Sequence, residues 1–255
     1  MSLNEAIVFA NESPIFTTHT SKQHRLGQLA MLSDGRKFRY AYATAIQQGI
    51  GRASINANNA PGSDTNVNGY EGALSAATPA GAVELTFPDT TARVADFYES
   101  GYVIFYNDTT SHYWTQRIRS SGISAGTTVT IQLECETPFD VSASHQVSVM
   151  RSPFSNIKNA MAINQEYEPF MGIAQAYVAA SRWFWLQTAG PCLAAPHGGT
   201  WPGSAAHYRD VFFWMDGTID PASVADPTSG YQRAGYLLSG TRSSYGDNFI
   251  MLQLE

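Results

Sequence analysis

The stretch AMLSDGRKFRYAYA, Ala30–Ala43, decides how the chain is read. In its second half Phe38, Tyr40 and Tyr42 alternate with Arg39, Ala41 and Ala43. A period of two belongs to a strand with two different faces. Ahead of it stands Ser33-Asp34-Gly35-Arg36. Asp-Gly is a strong hairpin signal, because glycine accepts the positive φ that a tight turn demands. The tetrapeptide therefore reads as a corner between two strands, not as a recognition motif.

The same pattern extends outward. Val83, Leu85 and Phe87 alternate and stop at Pro88-Asp89. GYVIFYND (101–108) is a continuous apolar run and reads as a buried strand. SHYWTQRIRSSG (111–122), GTTVTIQLEC (126–135) and HQVSVMRSPF (145–154) follow as further strands, with one short helical turn expected earlier in TTARVADFYESG (90–101). Residues 155–180 are richer in Ala, Met and Asn and read as the start of a second β module, with a short helix in the connection. RWFWLQTAGPC (182–192) is a strand expected to stop at Gly190-Pro191, and three more strands close the chain. The expected fold is mainly β: antiparallel β-sandwich or barrel modules with few short helices, residues 29–154 forming one domain and 155–255 a second.

Residues 1–28 show no sustained period and read as an extended N-terminal arm. Its isolated apolar residues, Phe9, Ile15, Phe16 and Leu26, would dock on another subunit; the competing reading is a frayed terminus. Trp183, Phe184 and Trp185 are consecutive, so in a strand the two tryptophans share one face and Phe184 takes the other. Burial on both sides means a two-layer core or a subunit contact, which makes Trp183 and Trp185 candidate interface residues.

Composition narrows the function. The chain has 255 residues and a formal net charge of −6, and only 14% of its residues are charged, well below the usual quarter. Lys22, Lys37 and Lys158 are its only lysines, so a phosphate-tracking surface for nucleic acid is not expected. No run of about 18 apolar residues suits a membrane span, and the N-terminus lacks the pattern of a signal peptide. Cys135 and Cys192 stand in unrelated contexts and read as free, buried thiols, and no metal or cofactor motif is seen.

Each catalytic pattern in the sequence has a plainer reading. Gly122-Ile123-Ser124-Ala125-Gly126 matches G-x-S-x-G, but strand follows it where a nucleophile elbow needs a helix. The six histidines form no compact metal pair. Glu134 and Glu136, expected to point the same way from one strand, and Glu166 with Glu168 leave a β-sandwich glycosidase as one possibility. Tyr70, Trp201 and Tyr208, placed in long loops, leave a glycan-stacking platform as another.

Four stretches carry a resemblance: RLGQLAMLSDGRKFRYAYA (25–43), ESGYVIFYNDTTSHYWTQRIRSSGISAGTTVTIQL (99–133), VMRSPF (149–154) and SRWFWLQTAGPC (181–192). In this order they resemble tailed-bacteriophage structural proteins encoded near the major capsid protein. Phe184-Trp185 stands where Gly-Trp is common in that group, and TTSHYWT replaces a Gly-rich link. The resemblance implies a capsid cement or decoration protein: a β-rich homotrimer on the capsid exterior of the virion, made in the host cytoplasm, with the major capsid protein as partner and no catalysis. The alternative within the same setting is a tail or baseplate module that binds glycans.

Overall fold

The structure, a computed structural model, describes residues 7–9, 11–44, 52–56, 69–107, 112–143, 145–160, 169–197, 209–221, 231–238 and 248–255. The fold is mainly β, as expected. Two compact units make it up: Met1–Ala57 together with Phe154–Glu255, and Asn58–Pro153. The expected boundary near residue 154 coincides with one of these limits. The expected single domain 29–154 does not: the strands before residue 57 share a sheet with those after 154.

The first unit begins with β1 (Ile7–Phe9), β2 (Leu29–Leu32), β3 (Lys37–Ala43) and β4 (Ala53–Asn56). The second holds β5 (Gly69–Ala73), β6 (Glu84–Pro88), β7 (Ala92–Arg93), β8 (Tyr102–Asn107), β9 (His112–Ser121), β10 (Ser124–Ala125), β11 (Thr128–Leu133) and β12 (Gln146–Met150). The first then resumes with β13 (Ile157–Asn159), β14 (Phe170–Ala174), β15 (Arg182–Leu193), β16 (Asp210–Phe213), β17 (Ile219–Pro221), β18 (Arg233–Leu237) and β19 (Phe249–Gln253).

The opening hairpin forms as read. β2 and β3 pair antiparallel, Gly35 turns with φ +88°, and Asp34 Oδ1 accepts the Arg36 N–H at 3.1 Å. β3 then becomes one wall of a closed ring. It pairs with β13, β13 with β4, β4 with β14, β14 with β15, and β15 returns to β3. Ala41, Ala43, Ile157, Ala174, Phe184 and Leu186 fill the inside. Beyond Ala189 the long strand β15 changes neighbour from β3 to β19, from which the sheet runs on through β18, β16 and β17. Ile219 of β17 bonds back to the continuation of β15, donating to Ala195 O and accepting from His197 N, both at 2.8 Å. A second ring thus closes around Cys192, Val211, Phe213, Ile219, Ala234, Ile250 and Leu252.

β15 does not stop at Gly190-Pro191. Pro191 O accepts from Gln187 Nε2 at 3.0 Å, so the peptide atoms of Pro191 face away from the β19 ladder. There the absent N–H costs no ladder bond, and proline is tolerated inside the strand.

In the second unit β5, β12, β8, β9, β11 and β6 form one antiparallel sheet in that order. Its edges approach each other, Ser75 N donating to Thr86 O at 3.0 Å just past β5. The curl encloses Leu85, Phe87, Tyr98, Val103, Phe105, Ile118, Ile131, Val147 and Val149. The G-x-S-x-G segment links β9 to β11 and, where a plain turn is expected, carries the two-residue strand β10 paired with β7; Ser124 Oγ accepts from Gly126 N at 3.0 Å. Residues 95–100 pass through turns where one helical turn was expected.

Candidate functional site

The residues singled out from sequence fare differently. The segment expected to be an arm folds onto its own unit. β1 runs parallel to β2, Ser13–Phe16 makes a 3₁₀ turn, and Ile15 and Leu26 are buried. Phe9 meets the edge of Trp185 with ring centres 5.4 Å apart. Of the four proposed anchors, Phe16 alone stays largely exposed. Apolar residues in an otherwise polar segment do mark burial, but here the buried partner is the chain's own sheet.

The tryptophans alternate as predicted, and the outcome is a two-layer core. Phe184 points into the first ring, whereas Trp185, 1% exposed, packs outside it with Ile15, Ala30, Leu32, Phe38 and Tyr40. Such burial leaves Trp185 no surface for a second subunit. Trp183 is half-buried, its ring stacked 5.9 Å from Tyr40 with Lys22 Nζ 5.8 Å from its centre. His24 sits between Tyr40 and Trp185, at 5.0 and 5.1 Å.

Glu134 and Glu136 lie past the end of β11, and Glu134 Oε1 is 3.8 Å from Arg117 Nε. Glu166 and Glu168 fall outside the described residues, as do Trp201 and Tyr208. Tyr70 is a strand residue, with its ring stacked on Phe87 and its hydroxyl donating to Ala73 O at 2.6 Å, so it is no free platform. Among the described residues no group of three or more His, Cys, Asp or Glu could hold a metal ion. Cys192 is buried, and burial pushes its thiol up to about 12; Cys135, expected inside, is exposed.

The surface that stands out lies on GYVIFYND, where the expectation of a buried strand was wrong for one face. Val103 and Phe105 point inward, but Tyr102 is 40% and Tyr106 43% exposed. The sheet has a core on one side only, and tyrosine's hydroxyl tolerates the wet side. Register extends this face across three strands. On β9, Tyr113 pairs with Tyr106, Thr115 with Ile104 and Arg117 with Tyr102. On β12, Gln146 pairs with Tyr106, Ser148 with Ile104 and Met150 with Tyr102. Tyr113 is 70% and Met150 49% exposed, and the Tyr106 and Tyr113 rings lie 5.4 Å apart. The sequence signal was tyrosine at every fourth residue of β8, flanking Ile104, where a fully buried strand would carry Val, Ile or Leu.

Tyrosine, methionine and arginine are the side chains enriched at the cores of protein interfaces. Here they stand on ladder-bonded strands, so little conformational freedom remains to be lost on contact. Comparison with family models, with curated proteins and with solved structures finds no match.

Proposed function

We propose that this chain is a virion structural protein that binds the exterior of an assembled tailed-phage capsid and stabilises it by bridging capsid subunits. The observation that carries the reading is the outward face of β8, β9 and β12, with Tyr102, Tyr106, Tyr113 and Met150 exposed on a rigid sheet. The resemblance of residues 25–43, 99–133, 149–154 and 181–192 to capsid-associated phage proteins supplies the partner. The role is adhesive and not catalytic. A protein that binds only the assembled shell adds its binding free energy to shell stability, and a contact of roughly 1,600 Å² suffices for specific association. The working form is a homotrimer.

The test is co-sedimentation of the purified protein with particles assembled from the neighbouring major capsid protein, with its mass in solution measured alongside. Saturable binding at a fixed copy number, by a trimer, is expected, and replacing Tyr102, Tyr106 and Tyr113 together by Ser abolishes it. A protein that never sediments with particles overturns the proposal. A glycan-array signal that depends on Tyr106 and Tyr113 would instead support the reading as a sugar-binding tail module, since paired exposed rings also stack on sugars.

A further inference from the structure

Among the described residues of the second unit, the Arg151 guanidinium has no carboxylate counter-ion. Arg151 follows Val147 and Val149 on the inward phase of β12, so its side chain leaves the strand end over the mouth of the curled sheet. Its guanidinium carbon lies 4.3 Å from the centre of the Phe97 ring. The Arg93 guanidinium lies 4.4 Å from the same centre. Two cations therefore share one aromatic ring.

Their charges are balanced differently. Arg93 Nε donates to Asp89 Oδ2 at 2.7 Å, and both side chains are almost wholly buried. Asp89 also takes the Tyr98 hydroxyl at 2.7 Å and the Thr91 N–H at 2.9 Å. Its acceptors are thus largely committed. Among the described residues, Arg151 has no carboxylate within ion-pair distance, and its Nε is enclosed without an acceptor. The Ser100 hydroxyl is likewise enclosed and without a partner. Ser100 precedes Gly101, whose α-carbon packs so tightly on the Met150–Arg151 backbone that an added Cβ would sit 3.0 Å from Arg151 C. Ser100 itself is held at φ +59°.

Arginine does not solve such a problem by losing its proton. Burial first, and then the neighbouring Arg93 charge, pull its pKa below the usual arginine value, yet it stays cationic at any ordinary pH. A cation stacked on a ring and short of acceptors is completed by an anion with oxygens to share.

We propose that Arg151, seated on Phe97 beside Arg93, is a binding site for a small oxyanion, a carboxylate or a phosphate. This site stands apart from the capsid reading and from the tyrosine face.

The experiment titrates the full chain, isotopically labelled, with inorganic phosphate and separately with acetate at fixed ionic strength. Arginine Nε–H and Phe97 ring resonances are followed. The Arg151 Nε–H and Phe97 signals shift saturably with at least one titrant, and Arg151→Met removes the saturable Phe97 response. A tenfold tighter midpoint for phosphate assigns a tetrahedral ligand, and the reverse a carboxylate. Signals that move only linearly with titrant in the wild-type chain, or a Phe97 response that persists in Arg151→Met, overturn the site. The wild-type titration decides even if the variant does not fold.

Discussion

The Arg93 guanidinium meets the Asp89 carboxylate at 2.7 Å four residues away, and neither side chain keeps more than a few per cent of its surface in water. Burial alone would raise the Asp89 pKa, but the hydrogen bonds from Arg93, Tyr98 and the Thr91 N–H outweigh it and hold the carboxyl below its usual range. The pair closes the short link between β6 and β7.

Asp89→Ala should therefore be among the most damaging single changes in residues 58–153. It strands a buried guanidinium and removes the acceptor of the Tyr98 hydroxyl, at an expected cost of about 3–5 kcal/mol. Chemical denaturation followed by tryptophan fluorescence measures it. A loss under about 1 kcal/mol would mean that the pair is solvated after all.

Trp185→Ala should cost about 3–5 kcal/mol, the usual range for deleting a fully enclosed aromatic side chain. Trp183→Ala should cost clearly less, because that ring is half-buried. Equal losses in paired melts would contradict the two-layer packing around β15.

Acid should weaken the fold before its carboxylates titrate. Burial, and then His19, lower the pKa of His24 between Tyr40 and Trp185. The unfolded chain takes up this proton near pH 6.5, while the folded chain resists it until lower pH. Stability contributed by the neutral ring is thus intact above about 6.5 and falls as pH drops through the folded value. Unfolding curves at successive pH values should show this decline, and His24→Gln should flatten it in the window above the carboxylate range.

Two glycines with positive φ should respond unequally to alanine. At Gly235, φ +149°, a Cβ would lie 1.9 Å from Met251 O on the neighbouring strand, so Gly235→Ala must push β18 from β19. At Gly35, φ +88°, nothing stands within 4 Å, and the cost is the left-handed backbone alone, about 1–2 kcal/mol. Thermal melts should rank Gly235→Ala well below Gly35→Ala.

Local features were readable from sequence. Asp34-Gly35 turned the chain where the alternation said it must, and the β-branched run after G-x-S-x-G is the strand β11 in place of the helix a nucleophile elbow needs. What periodicity could not see was the identity of each strand's neighbour. β3 closes its ring against β15, some 140 residues later, as Trp185 opposite Tyr40 shows, and no local pattern encodes that choice. The same ignorance hid the exposed tyrosine face of β8. Tyr102-Val103-Ile104-Phe105-Tyr106 is apolar on both sides, and only the curl of the sheet tells which side is wet. Pro191 misled for a related reason: a proline stops a strand only where its N–H is wanted.

Asn56 and Ile157 are register partners on β4 and β13, so the chain leaves the first unit and re-enters it at adjoining points. The intervening stretch is unbroken and carries its own core. During translation it emerges whole while β3 still lacks the strand that will complete its barrel. At typical elongation rates that interval is on the order of ten seconds. For that time Phe38 and Tyr40 have Ile15, Ala30 and Leu32 beside them but lack Trp185, which makes the ribosome-bound intermediate, rather than the finished molecule, the form most exposed to aggregation and to chaperone capture.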